Sequence, residues 1–347
     1  MGQNTLPVAN PLKPRPVRPE VRRSLFTVVD EYDPPVPGVS RLEEVLALAQ
    51  AAESAGIDTF WVAEHHFHSG GVCPSPPILL AAIAARTRRL RVGALVSVLP
   101  FHAPILLAEE YALIDRLSNG RLSIGVGSGY IPLELSGFGL DAATKRERFD
   151  RGLLTLRAAL LGEEVRAEVP GASPVRLNVR PVQLPFPPIR VAVQRHEALQ
   201  EMGRRGYPVA LIPYATVADL GALAEEIHGY RAALPAGAVG DVAAAVHVYA
   251  GPHPERARAA LQRYLDSRLM TQSVNYLDRV RADPTLARAE TLEQRGFALF
   301  GSADEVLERL REFERAGVDE LLAIVDFGAL PSGEALRTVR ALAPPAP

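Results

Sequence analysis

The chain has 347 residues, of which 48% are hydrophobic and 22% charged, and a formal charge of −2. The near balance of 40 acidic against 38 basic residues argues against a nucleic-acid binder held by a basic face, and the single cysteine, Cys73, excludes an intrachain disulfide and a four-cysteine zinc site. No apolar run approaches the roughly 18 residues that a membrane span needs.

Residues 1–20 hold five prolines and no apolar stretch of the kind that marks a signal peptide. Leu6 stands where an N-myristoylation signal needs Ser or Thr. A disordered Pro-rich arm is expected over 1–20, on a cytoplasmic protein.

Strands and helices then alternate. A first strand is expected at Leu25–Val29. A helix follows over Arg41–Ala55, with Ser40 and Glu43 spaced as a capping box. A strand at Thr59–Ala63 precedes a helix over Pro77–Arg88, and a strand at Arg91–Val98 precedes a helix over Pro104–Leu117. The fourth strand is Leu122–Val126, followed by a helix over Ala143–Leu161. Between Val165 and Pro188, prolines at 170, 174, 181, 185 and 187 alternate with β-like pairs, which reads as an inserted hairpin. The fifth to seventh strands are expected at Ile189–Val193, Val209–Ile212 and Val242–Val248, each with a helix behind it. Residues 271–297 show no clear strand. The helix Ala303–Ala316 leads to an eighth strand, Glu320–Val325, and a last helix, Ser332–Leu342.

Eight strands, each followed by a helix, predict an α/β chain folded as a (β/α)8 TIM barrel. It would form one domain over 21–343, with the inserted hairpin after the fourth βα unit. A doubly wound open sheet is the competing architecture.

Barrel active sites lie at the C-terminal ends of the strands. That rule selects the run Glu64, His65, His66, Phe67 and His68 after the second strand, and Pro100 to His102 after the third. It also selects the glycine-rich run Gly125 to Tyr130 after the fourth, Gln194, Arg195 and His196 after the fifth, and Asp326 after the last. His66 and His68 resemble the strand-borne pair of metal-dependent barrel hydrolases, but the further histidines such a site needs are missing, since the sixth strand ends in Pro213 and Tyr214. No metal is therefore expected. Gly125, Gly127 and Gly129 lack the full dinucleotide spacing, and their expected use is to let a ring or phosphate approach the backbone. Asp326-Phe327-Gly328 matches a kinase triplet without the catalytic loop that should precede it. Arg195 and His196 open a helix, where a guanidinium and the helix N-terminus suit a phosphate, and Arg146 could join them.

Several stretches together resemble the bacterial luciferase-like flavin monooxygenases. They are FWVAEHHF (Phe60–Phe67), PSPP (Pro74–Pro77), AAIAART (Ala81–Thr87), VGALVSVLP (Val92–Pro100), DRLSNGRL (Asp115–Leu122) and GVGSGY (Gly125–Tyr130). The likeness is nearly ungapped over 56–149 and resumes at 188–208 and 300–331. It implies a barrel that binds reduced flavin at the strand C-termini, with His65 as the catalytic histidine and Glu64 beside it, fixing its tautomer or orienting the ring. It implies that Leu95 and Val96, joined by a non-proline cis peptide, lie behind the flavin ring. Gly127 falls where luciferase carries a reactive cysteine. Ser128 falls where it has a phosphate-contacting arginine and Arg195 where it has a phosphate-contacting serine, so that the two charges exchange places while Arg146 keeps its own. Gln194 and His196 complete the implied cofactor set.

The implied reaction uses reduced FMN (FMNH2), delivered by a separate flavin reductase, and O2. It passes through a C4a-hydroperoxyflavin to oxygenate a small organic substrate. Two alternatives stay open: an F420-dependent hydride-transfer oxidoreductase on the same barrel, and a non-catalytic flavin-binding protein. Residues 271–297 would form a lid. Members of the family usually dimerise, and Ile78, Leu79, Ile83, Ile105, Leu106, Leu113 and Ile114 on the second and third helices exceed what one inward face needs, so a homodimer through them is expected.

Overall fold

Short runs of aliphatic and β-branched residues, buried over most of their length, alternate with helices, as a parallel sheet covered on its outer face requires. In the computed structural model, which describes residues 20–32, 40–267 and 274–344, the first half runs β1 (Arg22–Thr27), α1 (Arg41–Ser54), β2 (Thr59–Val62), α2 (Pro76–Arg86), β3 (Arg91–Val98), α3 (Pro104–Leu117), β4 (Leu122–Gly127), α4 (Pro132–Gly137) and α5 (Lys145–Leu161). The second half begins β5 (Ile189–Ala192), α6 (His196–Arg204), β6 (Val209–Leu211), α7 (Pro213–Thr216), α8 (Leu220–Ala232), β7 (Val242–Ala250) and α9 (Pro254–Ser267). It continues α10 (Val274–Ala282), α11 (Ala289–Gln294), β8 (Ala298–Gly301), α12 (Ala303–Arg315), β9 (Glu320–Ile324) and α13 (Ser332–Ala341).

All strand pairings are parallel. β1 to β7 pair in succession, and β9 joins β7 to β1, so eight strands close into a barrel. The expected (β/α)8 architecture is therefore the observed one, and the open sheet is not. The strand missing from the sequence reading is β8. It lies outside the closed ring and pairs with the far end of β7, from His247↔Ala298 to Ala250↔Gly301. Its run, ALFG, directly follows the stretch 271–297 that shows no clear strand, and it precedes the helix at Ala303 with only Ser302 between.

Three local expectations are corrected. The insert before β5 is not a hairpin: its only ladder contact is the single antiparallel bridge Val165↔Val175. Proline cannot donate to a ladder, and Pro170 and Pro174, both between the bridged residues, keep the bridge from extending toward the loop. The end of the insert is instead pinned by buried Asp115, whose Oδ2 accepts from the backbone N–H groups of Val182 and Gln183 at 2.7 and 2.9 Å. Ser40 makes no side-chain cap on α1; its backbone carbonyl accepts from the Glu43 and Glu44 N–H groups instead, and Arg41 reaches Asp326 Oδ2 at 2.6 Å. The chain's capping box is at Ser302 and Glu305, opening α12. Of the apolar residues assigned to a dimer face, Leu79, Ile83 and Ile114 are buried within the chain, while Ile78, Leu106 and Leu113 are exposed. The arm expected over 1–20 lies outside the described residues except for Glu20, and 271–273 of the lid also lie outside. From 274 to 294 that segment is helical, and Arg279 ties it to the carbonyl of Val217. Among the described residues no helix is long and apolar enough to cross a membrane.

The N-terminal end of the barrel is bridged by charge. Glu320 Oε2 bonds Arg22 at 3.1 Å and Arg190 at 2.8 Å, and Asp241 bonds the same two guanidinium groups at 2.6 and 2.7 Å. Glu320 Oε1 also accepts from Ser24 Oγ and Trp61 Nε1. β5, which carries Arg190, neighbours neither β9 nor β1 in the ring, so these bonds cross the bore.

The Asp326-Phe327-Gly328 triplet has a packing explanation. Gly328 sits at φ +61, and a Cβ there would lie 1.8 Å from the carbonyl oxygen of Ala260 on α9. Gly328→Ala is expected to cost at least about 2 kcal/mol through strain and overpacking, seen as a lowered thermal midpoint.

Candidate active site

β2 ends at the C-terminal rim and releases the loop that carries the histidines. The expectation that Glu64 orients His65 is corrected by the geometry. Neighbouring residues leaving an extended strand point to opposite sides. Glu64 turns toward β3, where its Oε2 accepts from the Val98 backbone N–H at 3.1 Å and from His102 Nε2 at 2.8 Å, while Oε1 accepts from His66 Nε2 at 3.1 Å. Burial pushes the Glu64 carboxyl up, but the hydrogen bonds from His102 and His66 hold it below the usual carboxylate range. Burial also disfavours the charged form of His102, yet the bond and charge of Glu64 raise it above the usual histidine value. Glu64 is thus a charged brace between β2 and β3.

The partner of His65 is Glu134, which the sequence reading missed. α4 starts with Pro132 in its first turn, where a fixed φ favours a helix, and this short helix carries Glu134 under the histidine loop. Glu134 Oε1 accepts from His65 Nδ1 at 3.0 Å, from the His66 backbone N–H at 2.9 Å and from His68 Nε2 at 3.1 Å. Burial pushes this carboxyl up, but the bonds from His65 and His68 bring it down to about 2. Gly71 leaves room for the imidazole: a Cβ there would lie 2.6 Å from the His65 ring. His66 is enclosed by Phe67, Phe101 and Phe138, with ring centroids at 5.6, 5.5 and 4.8 Å.

Beside this loop, β3 bulges. Its register against β4 shifts between Ala94 and Ser97, and the Leu95–Val96 peptide inside the shift is cis. The glycines of β4 answer that bulge. A Cβ on Gly125 would lie 2.5 Å from the Ala94 carbonyl oxygen, and one on Gly127 would lie 2.8 Å from Val96 Cγ2. The space beside Gly127 is therefore taken by Val96.

Across the rim, Ser128 follows β4 and Lys145 opens α5. Lys145 Nζ donates to the Gly129 carbonyl at 2.9 Å. Burial, and then the nearby Arg195 guanidinium, lower its pKa. Arg195 precedes α6, directly after Gln194. Lys145 was overlooked because it ends no strand; it reaches the rim only through its helix. Arg146 is more exposed and bonds Asp150 at 3.0 Å, and Asp150 in turn holds Arg205 at 2.9 Å. His196 turns outward to Glu226 on α8, at 2.7 Å. The structure therefore brings together His65 with Glu134, and Glu64 with His66 and His102, and sets Lys145 near enough to Arg195 to feel its charge. It leaves His196 outside this rim and engages Arg146 elsewhere.

Residues 21–320 match the family model described as luciferase-like monooxygenase. The chain is similar to the uncharacterised protein y4wF of Sinorhizobium fredii, 30% identical over 90% of this chain and 93% of that protein. It is also similar to the 4-hydroxyprotoasukamycin monooxygenase of Streptomyces nodosus subsp. asukaensis, 29% identical over 81% and 78%. Among solved structures, the monooxygenase RslO1 of Streptomyces bottropensis superposes with a TM-score of 0.79 at 27% identity, covering 93% of this chain and 97% of that one. Two barrels of lower identity share the fold. They are the FMN-bound oxygenating constituent of 3,6-diketocamphane monooxygenase from Pseudomonas putida (TM-score 0.74, 20% identity, 93% and 96% covered) and an F420-dependent secondary alcohol dehydrogenase (0.69, 16%, 93% and 99%). The chain belongs to the luciferase-like monooxygenase family.

Proposed function

We propose that this barrel is a flavin-dependent monooxygenase. In this reading it takes reduced FMN from a separate reductase in the cytoplasm, together with O2, and transfers one oxygen atom to a small organic substrate. The observation that carries it is the pairing of Lys145 with Arg195 across the rim from a histidine loop braced by two buried carboxylates. That pair suits a phosphomonoester, so the residues present fit a phosphorylated flavin. Reduced flavin, when bound, supplies the chemistry that activates O2.

The chain's own part is positioning and proton handling. Lys145 and Arg195 bind the phosphate, with Ser128, Gln194 and Arg146 at the border of that site. Leu95 and Val96 form the wall against which the ring lies. Glu134 fixes Nδ1 of His65, so any proton that His65 takes from or gives to the reacting molecules moves at Nε2. Glu64 acts through His102 and β3 and holds that wall in place. The helical segment 274–294 covers the substrate side. The exposed Ile78, Leu106 and Leu113 form the contact with a second copy, and sedimentation of a dimer at micromolar concentration checks this.

The test is an anaerobic titration with reduced FMN, reduced F420 and reduced riboflavin, followed by an oxygen pulse with candidate substrates. Reduced FMN is expected to bind best and O2 to be consumed. A hydrogen bond to a charged group contributes about 1.5–3 kcal/mol, so Lys145→Ala should weaken reduced FMN by about tenfold or more. It should leave riboflavin, which has no phosphate, unchanged. Preference for F420 without oxygen uptake would replace this reading with hydride transfer. Flavin binding without turnover of any substrate would leave a binding protein.

A further inference from the structure

The donors around Glu134 form a set that oxygenation does not require. His65 Nδ1, His68 Nε2 and Glu134 Oε1 all lie within 4.8 Å of one another, and both nitrogens meet the same oxygen at 3.0 and 3.1 Å. The three side chains are 8%, 9% and 3% exposed. The two imidazoles stand 5.2 Å apart, tilted by 54°, as two ligands converging on one point would. A single bond from the His66 backbone N–H would already tie α4 to the loop. His68 Nδ1, the nitrogen not bonded to Glu134, is buried without a hydrogen-bond partner, so the imidazole is held through Nε2.

Two imidazoles and one carboxylate are the protein ligands of open zinc sites, with bonds of about 2.0–2.2 Å. Tetrahedral ligands at that bond length stand roughly 3.3 Å apart. The two contacts to Oε1 are within a few tenths of an ångström of that spacing, so an ion needs only the two nitrogens to settle around it. We propose that His65, His68 and Glu134 form a site for a divalent transition-metal ion of the zinc class, and that its occupation inhibits the enzyme. Each imidazole would then carry its proton on the other nitrogen, Nε2 of His65 and Nδ1 of His68. His65 would lose its bond to Glu134 and could no longer accept a proton at Nε2. The binding half of the proposal is independent of the function proposed above; the inhibition half rests on it.

The experiment uses the full chain, stripped with chelator. Zn2+ is titrated against a chromophoric competitor, and Co2+ is followed by its visible absorption. The expected result is one equivalent bound with micromolar or tighter affinity and a tetrahedral cobalt spectrum. His68→Ala should weaken Zn2+ by at least about tenfold, while His253→Ala, at a surface histidine beside Glu255, should not. His68→Gln and Glu134→Gln replace the alanine variant if circular dichroism shows that it is unfolded. Equal Zn2+ affinity in wild type and the His68 variants, or no saturable binding, overturns the site. Stoichiometric binding that leaves oxygenation unchanged overturns the inhibition alone. A chain that binds Zn2+ here but never oxygenates anything would refute the proposed function and leave the site standing.

Discussion

His65→Ala should lower the rate of substrate oxygenation by about 10²–10⁴-fold, the usual worth of a positioned acid or base, while leaving the affinity for reduced FMN unchanged. The split follows from the geometry. His65 is held by Glu134 on the histidine loop, whereas the cations proposed for the phosphate come from α5 and the start of α6. Oxygen should still be consumed in the variant, with hydrogen peroxide appearing in place of product. Glu134→Gln keeps the shape of the site but removes the charge that holds Nδ1, so it should fall between the two, with an altered pH profile of kcat. Equal turnover by His65→Ala and wild type would remove His65 from the chemistry.

Glu320→Ala should be the most destabilising single change at the barrel floor. It takes one of two carboxylates from Arg22 and from buried Arg190, leaving both on Asp241 alone, and removes the acceptor of Ser24 and Trp61. Breaking a buried ion pair by removing one partner costs about 3–5 kcal/mol, measurable by denaturant unfolding, with flavin affinity in the surviving folded fraction unaffected. Burial pushes the Glu320 and Asp241 carboxyls up, but Arg190 and Arg22 hold both below the usual carboxylate range. Groups depressed in the folded state stabilise it fully above their unfolded pKa and lose that contribution as pH falls through the folded one. Wild type should therefore shed this stability only on the acid side of the ordinary carboxylate range, and Glu320→Ala should show a flatter acid limb.

The closed ring was legible because parallel strands buried on both faces leave dense aliphatic runs such as Val242–Val248, punctuated by helices of ordinary length. β8 was not, since it breaks the alternation of one ring strand with one helix and pairs only with the far end of β7. In the site, the rule that chemistry gathers at strand ends found Glu64, His65 and Arg195 but could not find Glu134 or Lys145. Both lie on helices, and they reach the rim only because of how α4 and α5 are set down, which is a matter of tertiary packing. The same limit explains Glu64: sequence adjacency to His65 suggested contact, while the alternation of an extended backbone parts the two side chains. The packing of Gly127 against Val96 of β3 was also out of reach, since it depends on how two strands pair.

The salt-bridged cross-link between β1, β5 and β9 has a consequence for traffic. With one end of the bore spanned by arginines and carboxylates, a ligand at the opposite end has no through-passage: whatever enters must depart by the same doorway. A bulky redox ring and a smaller organic molecule sharing such a dead end are best accommodated in sequence, the ring first and the molecule above it. Steady-state kinetics should therefore show an ordered rather than a random mechanism.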